Sequence, residues 1–148
     1  MVRRLLRRLC CGDAAKADDL AQITFLRAFE HLREYRGSAP LSAWLVGIAY
    51  RAFLSEARRL VADASFASGP EREWSGPATL LHHDLEKALA MVPIDERVAL
   101  VLTYGPDLSH EEAAQLLGCP LGTLKARVAR AKERLAPLLE AWKNAEVA

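Results

Sequence analysis

The stretch LSHEEAAQLLGCPLGTLKARVARAKERL, Leu108 to Leu135, decides how the rest of the chain is read. Ser109 followed by Glu112 fits a capping box, in which the hydroxyl accepts from the amide three residues on and the carboxylate reaches back. The pattern predicts a helix over Ser109 to Leu117, a stop at Gly118, a tight turn through Cys119-Pro120-Leu121-Gly122, and a second helix from Leu121 to Trp142. Ala114, Gly118 and Leu124 fall where a helix-turn-helix needs a small residue at the crossing, a flexible turn residue and an apolar anchor.

The second of these helices sorts its residues by angle. At about 100° per residue, Leu124, Val128, Ala131 and Leu135 gather in one stripe and Thr123, Arg127, Arg130 and Arg134 in another. Lys125 and Lys132 flank the far side of the apolar stripe, and Ala126 and Ala129 are small enough to let the backbone come close to a partner. Residues 123 to 134 carry five bases against the single acid Glu133. Lacing such a face along one helix needs acids at i±4, so the charges ask for a polyanion. A DNA major groove admits an α-helix, and Arg or Lys donates to guanine O6 and N7 or to phosphates. The plainer alternative, the solvated face of an ordinary bundle, explains the charge without the cap and turn that accompany it.

Composition sets the frame. The 148 residues are 51% hydrophobic with a net charge of +1, enough to bury a core and too apolar for global disorder. No run of about 18 uncharged apolar residues suggests a membrane span, and the N-terminus has too short an apolar stretch for a secretory signal, so a cytoplasmic protein is expected. Cys10, Cys11 and Cys119 form neither a disulfide framework nor a zinc spacing, and the adjacent pair reads as small buried thiols. The neutral total hides asymmetry: residues 1 to 60 carry +5, whereas 61 to 80 and 81 to 148 each carry −2.

Helical periodicity runs through the rest, and an all-α fold of two small helical domains follows. A short basic helix, Val2 to Cys10, precedes a helix from Ala17 in which Leu20, Ile23, Phe25, Leu26, Phe29 and Leu32 recur, with Phe25 and Phe29 assigned to the core. Another begins after Pro40, with Leu41, Trp44, Leu45, Ile48 and Ala49 on one side, and runs towards Arg59. Residues 61 to 80, with Gly69-Pro70 and Gly76-Pro77 among Ser and Ala, read as a flexible linker between a lobe of 1–60 and a lobe of 81–148. Further helices are predicted over Leu81 to Met91 and Ile94 to Tyr104.

With both lobes in view, the chain resembles the extracytoplasmic-function sigma factors, members of the sigma-70 family that bring bacterial RNA polymerase to promoters. Asp18 to Phe29, DDLAQITFLRAF, is similar to the polymerase-binding helix of region 2. Tyr35 to Leu45, YRGSAPLSAWL, is similar to the segment that engages the −10 element, and Leu108 to Lys125 to region 4, which reads the −35 element. The resemblance implies that Asp18, Asp19 and Gln22 contact the polymerase clamp helices, and that Tyr35, Arg36, Trp44, Arg51, Arg58 and Arg59 hold the separated −10 strand. It places Thr123, Lys125, Ala126, Arg127, Arg130 and Arg134 on −35 DNA, and it implies core RNA polymerase, promoter DNA and an anti-sigma factor as partners. Within the strand-holding group, Trp44 weighs more towards the core than towards a base platform. The chain departs from the family pattern at Ile23, where Glu is usual, and at Arg51 and Ser55, where Asn and Asp are usual. The helix ahead of Cys10 is also short for the family.

Nothing in the sequence asks for catalysis. No nucleophile elbow, glycine-rich phosphate loop or HExxH motif is present, and neither cofactor nor metal is expected. Adjacent His82 and His83 on a helix point about 100° apart, which disfavours a shared metal. Two other roles fit the same features: a sigma-like decoy that occupies an anti-sigma factor, and a helix-turn-helix regulator that binds an operator as a dimer.

Overall fold

The first nine residues build the centre of the molecule. Val2, Leu5, Leu6 and Leu9 recur at i, i+3, i+4 and i+7, so helix α1 (Val2–Leu9) has one apolar face and leaves Arg3 and Arg4 outside. Burying each such side chain contributes about 1.5–3 kcal/mol. In this computed structural model, which describes residues 1–64, 80–106 and 108–147 and the side chains of 1–60, 85–106 and 108–140, α1 packs on helices from both halves of the chain.

Past Cys10 the chain turns through the left-handed region at Cys11 (φ 53°) and Gly12 (φ 86°), and the Gly12 amide donates to the Arg7 carbonyl at 2.8 Å. Asp13 then caps α2 (Ala14–Glu30) by accepting from the Lys16 amide at 3.0 Å. Helix α2 packs on α1 and α3 through Ala17, Leu20, Ala21, Thr24 and Ala28. Thr24 is fully buried and donates its hydroxyl to the Leu20 carbonyl at 2.7 Å, which satisfies the donor inside the core. A 3₁₀ turn, Leu32–Glu34, leads into the loop before α3 (Leu41–Ala64).

Four helices follow: α4 (Leu80–Ala90), α5 (Ile94–Tyr104), α6 (His110–Leu117) and α7 (Leu121–Val147). The periodicity predicts the bounds of α5 residue for residue. Helix α3 runs five residues beyond Arg59, into the start of the segment assigned to the linker, and 65–79 lie outside the described residues. Helix α7 continues through Pro137 and past Trp142. Among the described residues there is no strand.

The core ignores the division into lobes. Leu6, Leu9, Val46, Leu89, Leu102 and Leu124 belong to one continuous buried cluster, with α1 touching α2 and α3 on one side and α4 and α5 on the other. Helix α6 also approaches α3, since a Cβ built on Gly47 would stand 3.6 Å from Leu116 Cδ1.

Candidate nucleic-acid interface

The α6–α7 pair has the geometry that its residues predict. The Ser109 amide donates to Glu112 Oε2 at 2.7 Å and the Glu112 amide donates to Ser109 Oγ at 3.1 Å, closing the capping box. Hydrogen bonding from the Ser109 amide, and after it from the Ser109 side chain, holds the Glu112 carboxyl below its usual range. Gly118 ends α6 in the left-handed region at φ 62°, and the Cys119 amide donates to the Ala114 carbonyl at 3.1 Å. Ala114 and Leu124 are buried at the crossing.

On α7, Leu124, Val128, Ala131 and Leu135 are buried, and Lys125, Ala126, Ala129, Arg130, Lys132 and Arg134 are exposed. Thr123 and Arg127 are half-buried. The charges, however, do not stand unanswered, which corrects the inference drawn from i±4 spacing. Arg127 Nε lies 3.6 Å from Asp95 Oδ2, Arg130 Nε 3.2 Å from Glu96 Oε1, and Arg134 Nε 2.9 Å from Glu96 Oε2. The acids come from α5, some thirty residues away in sequence, where a search along one helix does not look. Lys132 stands 4.6 Å over the Tyr104 ring and donates to its hydroxyl. Burial pushes the Tyr50 phenol of α3 up, against the opposing charge of Arg127.

A second surface lies on the N-terminal half. Tyr35, Arg36, Trp44 and Arg51 line a cleft of about 360 Å³, faced across it by Glu112, Gln115 and Leu116 of α6. The Tyr35 and Trp44 rings lie 5.3 Å apart at 45°, and the Tyr35 hydroxyl donates to the Ala39 carbonyl at 2.7 Å, closing the loop on itself. Trp44 is half-buried, in contact with a neighbour yet open to the cleft, so it is neither a core residue nor a free one. Arg51 and Arg58 follow Trp44 at intervals of seven, two helical turns, and continue its face along α3. Arg58 and Arg59 do not line the cleft; Arg59 donates to Glu56 at 2.9 Å and holds that carboxyl below its usual range.

The third surface is the outer side of α2. Asp19 and Gln22 are exposed, and half-buried Asp18 accepts from Arg3 at 2.7 Å. Beside them Leu26 is 60% and Phe29 79% exposed, with Ile23 also outside. Phe25 is 51% exposed, so the assignment of Phe25 and Phe29 to the core is overturned. The reason is that α2 packs through its small residues: Ala17, Ala21, Thr24 and Ala28 recur at i, i+4, i+7 and i+11, a stripe that lets α1 and α3 approach closely and turns the aromatics outward. Leu26 and Phe29 are functional candidates that the apolar spacing alone missed; the small-residue stripe was the signal that could have found them.

Other chemistry finds little support. Burial pushes the Cys10 thiol up to about 12 and the Cys11 thiol upward as well, away from nucleophilic thiolate character. The side chains of His82, His83 and Asp84 lie outside the described residues. Among the described residues no helix is long and apolar enough to cross a membrane.

Comparison with known proteins accounts for both halves. Residues 1–62 match the family described as Sigma-70 region 2, and residues 82–135 that described as Sigma-70, region 4. The chain is 37% identical over 133 residues to the ECF RNA polymerase sigma factor EcfG of Rhodopseudomonas palustris, an alignment covering 86% of this chain and 74% of that one. It is 34% identical over 130 residues to the ECF RNA polymerase sigma factor SigC of Mycobacterium tuberculosis, covering 84% and 70%. Among solved structures, the sigma factor RpoE in complex with the anti-sigma factor NepR from Bartonella quintana superposes with a TM-score of 0.81 at 34% identity, over 94% of this chain and 89% of that one.

Proposed function

This chain belongs to the sigma-70 family as a sigma factor of the extracytoplasmic-function type, and from that premise we propose how its three surfaces divide the work of bringing RNA polymerase to promoters. The outer side of α2, with Asp18, Asp19, Gln22, Leu26 and Phe29, docks on core polymerase. Tyr35, Arg36, Trp44, Arg51, Arg58 and Arg59 receive the −10 strand as it separates, with bases stacking on the aromatic pair and the arginines following the backbone. Thr123, Lys125, Ala126, Arg127, Arg130 and Arg134 of α7 enter the major groove of the −35 element. The chain acts in the cytoplasm and makes or breaks no covalent bond itself.

The observation that carries this reading is the pairing, in one chain, of a helix-turn-helix with an aromatic and basic cleft at Tyr35, Trp44 and Arg51. Residues 1–60 and 81–148 act as its two promoter-binding units, with 61–80 as their tether. Magnitude decides how they must move. The −10 and −35 elements stand roughly 25 base pairs apart, about 85 Å at 3.4 Å per step. A folded chain of this length has a radius of gyration of about 15 Å. The packed form cannot touch both elements, so the lobes part on the promoter. The packed form is the one an anti-sigma factor holds, a reading supported by the likeness to a sigma factor solved with its anti-sigma factor.

Transcription from a promoter library by core polymerase with the purified chain tests the proposal. Specific transcripts that depend on both elements are the expected result. Tight binding to an anti-sigma factor without polymerase binding would mark a decoy instead, and footprints that need no polymerase would mark an operator-binding regulator.

A further inference from the structure

Glu96 is 6% exposed at the first turn of α5, next to exposed Asp95. An acid at that place ordinarily complements the helix dipole and stays in water. Burial of a carboxylate needs partners, and Glu96 has two: its Oε1 faces Arg130 Nε at 3.2 Å and its Oε2 accepts from Arg134 Nε at 2.9 Å. Arg130 and Arg134 are neighbours at i, i+4 on α7 and repel each other; one carboxylate placed between them removes that repulsion. Exposed Asp95 makes a longer ion pair with Arg127, 3.6 Å from its Nε.

The atom used is informative. A guanidinium has five N–H donors, and the hydrogen bond that Arg134 gives to Glu96 uses the one on Nε, while Arg130 meets the other carboxylate oxygen as an ion pair whose nearest nitrogen is again Nε; the other four donors sit on the two terminal nitrogens. That terminal fork is the part that matches guanine O6 and N7, or two phosphate oxygens. The side chains of Arg130 and Arg134 are each 54% exposed, so gripping them at Nε does not withdraw them from solvent. Held in this way, each arginine keeps one orientation before DNA arrives instead of ordering on contact.

We infer that Glu96 and Asp95 are positioning residues for the −35 contact: they clamp Arg130, Arg134 and Arg127 from behind and aim their forks at base edges. The inference rests on the assignment of α7 to the −35 element. Its rival is masking, in which the same carboxylates compete with DNA for the arginines and their removal tightens binding.

The experiment uses the full chain with core polymerase, and short duplexes carrying a matched −35 sequence, a single-base change within it, or unrelated DNA. Wild type and Arg130→Ala come first. If wild type binds the matched and changed duplexes alike, or Arg130→Ala behaves as wild type, the −35 assignment itself fails, and the inference with it, before any carboxylate is altered. With discrimination present, Glu96→Gln is expected to lower the matched-to-changed affinity ratio by at least about fivefold, the lower end of what one bidentate base contact contributes. Binding to unrelated DNA stays at or above the wild-type level, because a negative charge has been removed. An unchanged ratio in a variant with the wild-type helical signal overturns the inference, and so does tighter binding to the matched duplex. Should Glu96→Gln fail to fold, exposed Asp95→Asn decides through Arg127: a reduced ratio sustains the inference and an unaltered one overturns it.

Discussion

Gly12 and Glu86 touch across the two halves of the chain: a Cβ built on Gly12 would stand 2.5 Å from Glu86 Oε2. Glu86 is buried and lies 3.7 Å from Arg7 Nε, so the turn after α1 and the face of α4 close on each other around a carboxylate with little room to move. Gly12 also sits at φ 86°, where a side chain is strained. Gly12→Ala should therefore lose about 1–3 kcal/mol of stability from backbone strain and more from the clash. Gly37→Ala is the control, since Gly37 has φ 71° with nothing within 4 Å of its added Cβ. Urea unfolding of both variants separates the two effects; equal losses would show that the Gly12–Glu86 contact is not tight.

Leu26 and Phe29 offer a surface whose loss should leave the fold alone. Both lie outside the packed stripe of α2, so Leu26→Ser with Phe29→Ser is expected to change unfolding stability by less than about 1 kcal/mol, as exposed substitutions do. Core polymerase binding should fall by about 2 kcal/mol or more if these side chains anchor the contact, measured by titrating labelled chain against core enzyme. Wild-type polymerase affinity in the double variant would remove them from the interface.

What the sequence told in advance divides along a physical line. Local signals were legible: the Ser109–Glu112 box, the stop at Gly118 and the bounds of α5 follow from interactions within a few residues. Readings that depended on which side of a helix meets the rest of the protein fared worse. Counting apolar residues on α2 pointed inward at Phe25 and Phe29, because hydrophobicity outweighed the close approach that Ala17, Ala21, Thr24 and Ala28 permit. The partners of the α7 arginines were invisible for a similar reason, since Asp95 and Glu96 become neighbours only through α5–α7 packing. Arginine-rich α1 read as a basic helix, yet its four apolar residues join the core from both sides.

Trp44 is placed to separate strand capture from packing. Trp44→Ala should weaken holoenzyme binding to a fork with an unpaired −10 strand by about 1–3 kcal/mol, the contribution of one stacked base. Binding to a −35 duplex should not change, and Trp44→Phe should restore most of the loss because a ring still faces Tyr35 at the cleft. Equal weakening on both DNAs, with a lowered melting temperature, would mean that the side chain serves only to hold the loop.

The capping box makes α6 sensitive to acid with a defined sign. Hydrogen bonds from the Ser109 amide and hydroxyl hold the Glu112 carboxyl below its ordinary value of 4.5 in the folded chain. A group whose pKa is depressed by folding contributes stability that is complete above the unfolded value and is lost as pH falls through the folded one. Glu112→Gln keeps an acceptor at the same place and does not titrate, so it supplies the reference. Wild type should lose stability relative to Glu112→Gln as pH is taken from 7 to 3, measured by urea midpoints. Glu56, depressed by Arg59, titrates in the same direction in both proteins and cancels from the comparison. A difference that stays constant over this range would show that the charged box contributes nothing to α6, and α6 is the helix that both frames the turn before α7 and walls the cleft at Arg51.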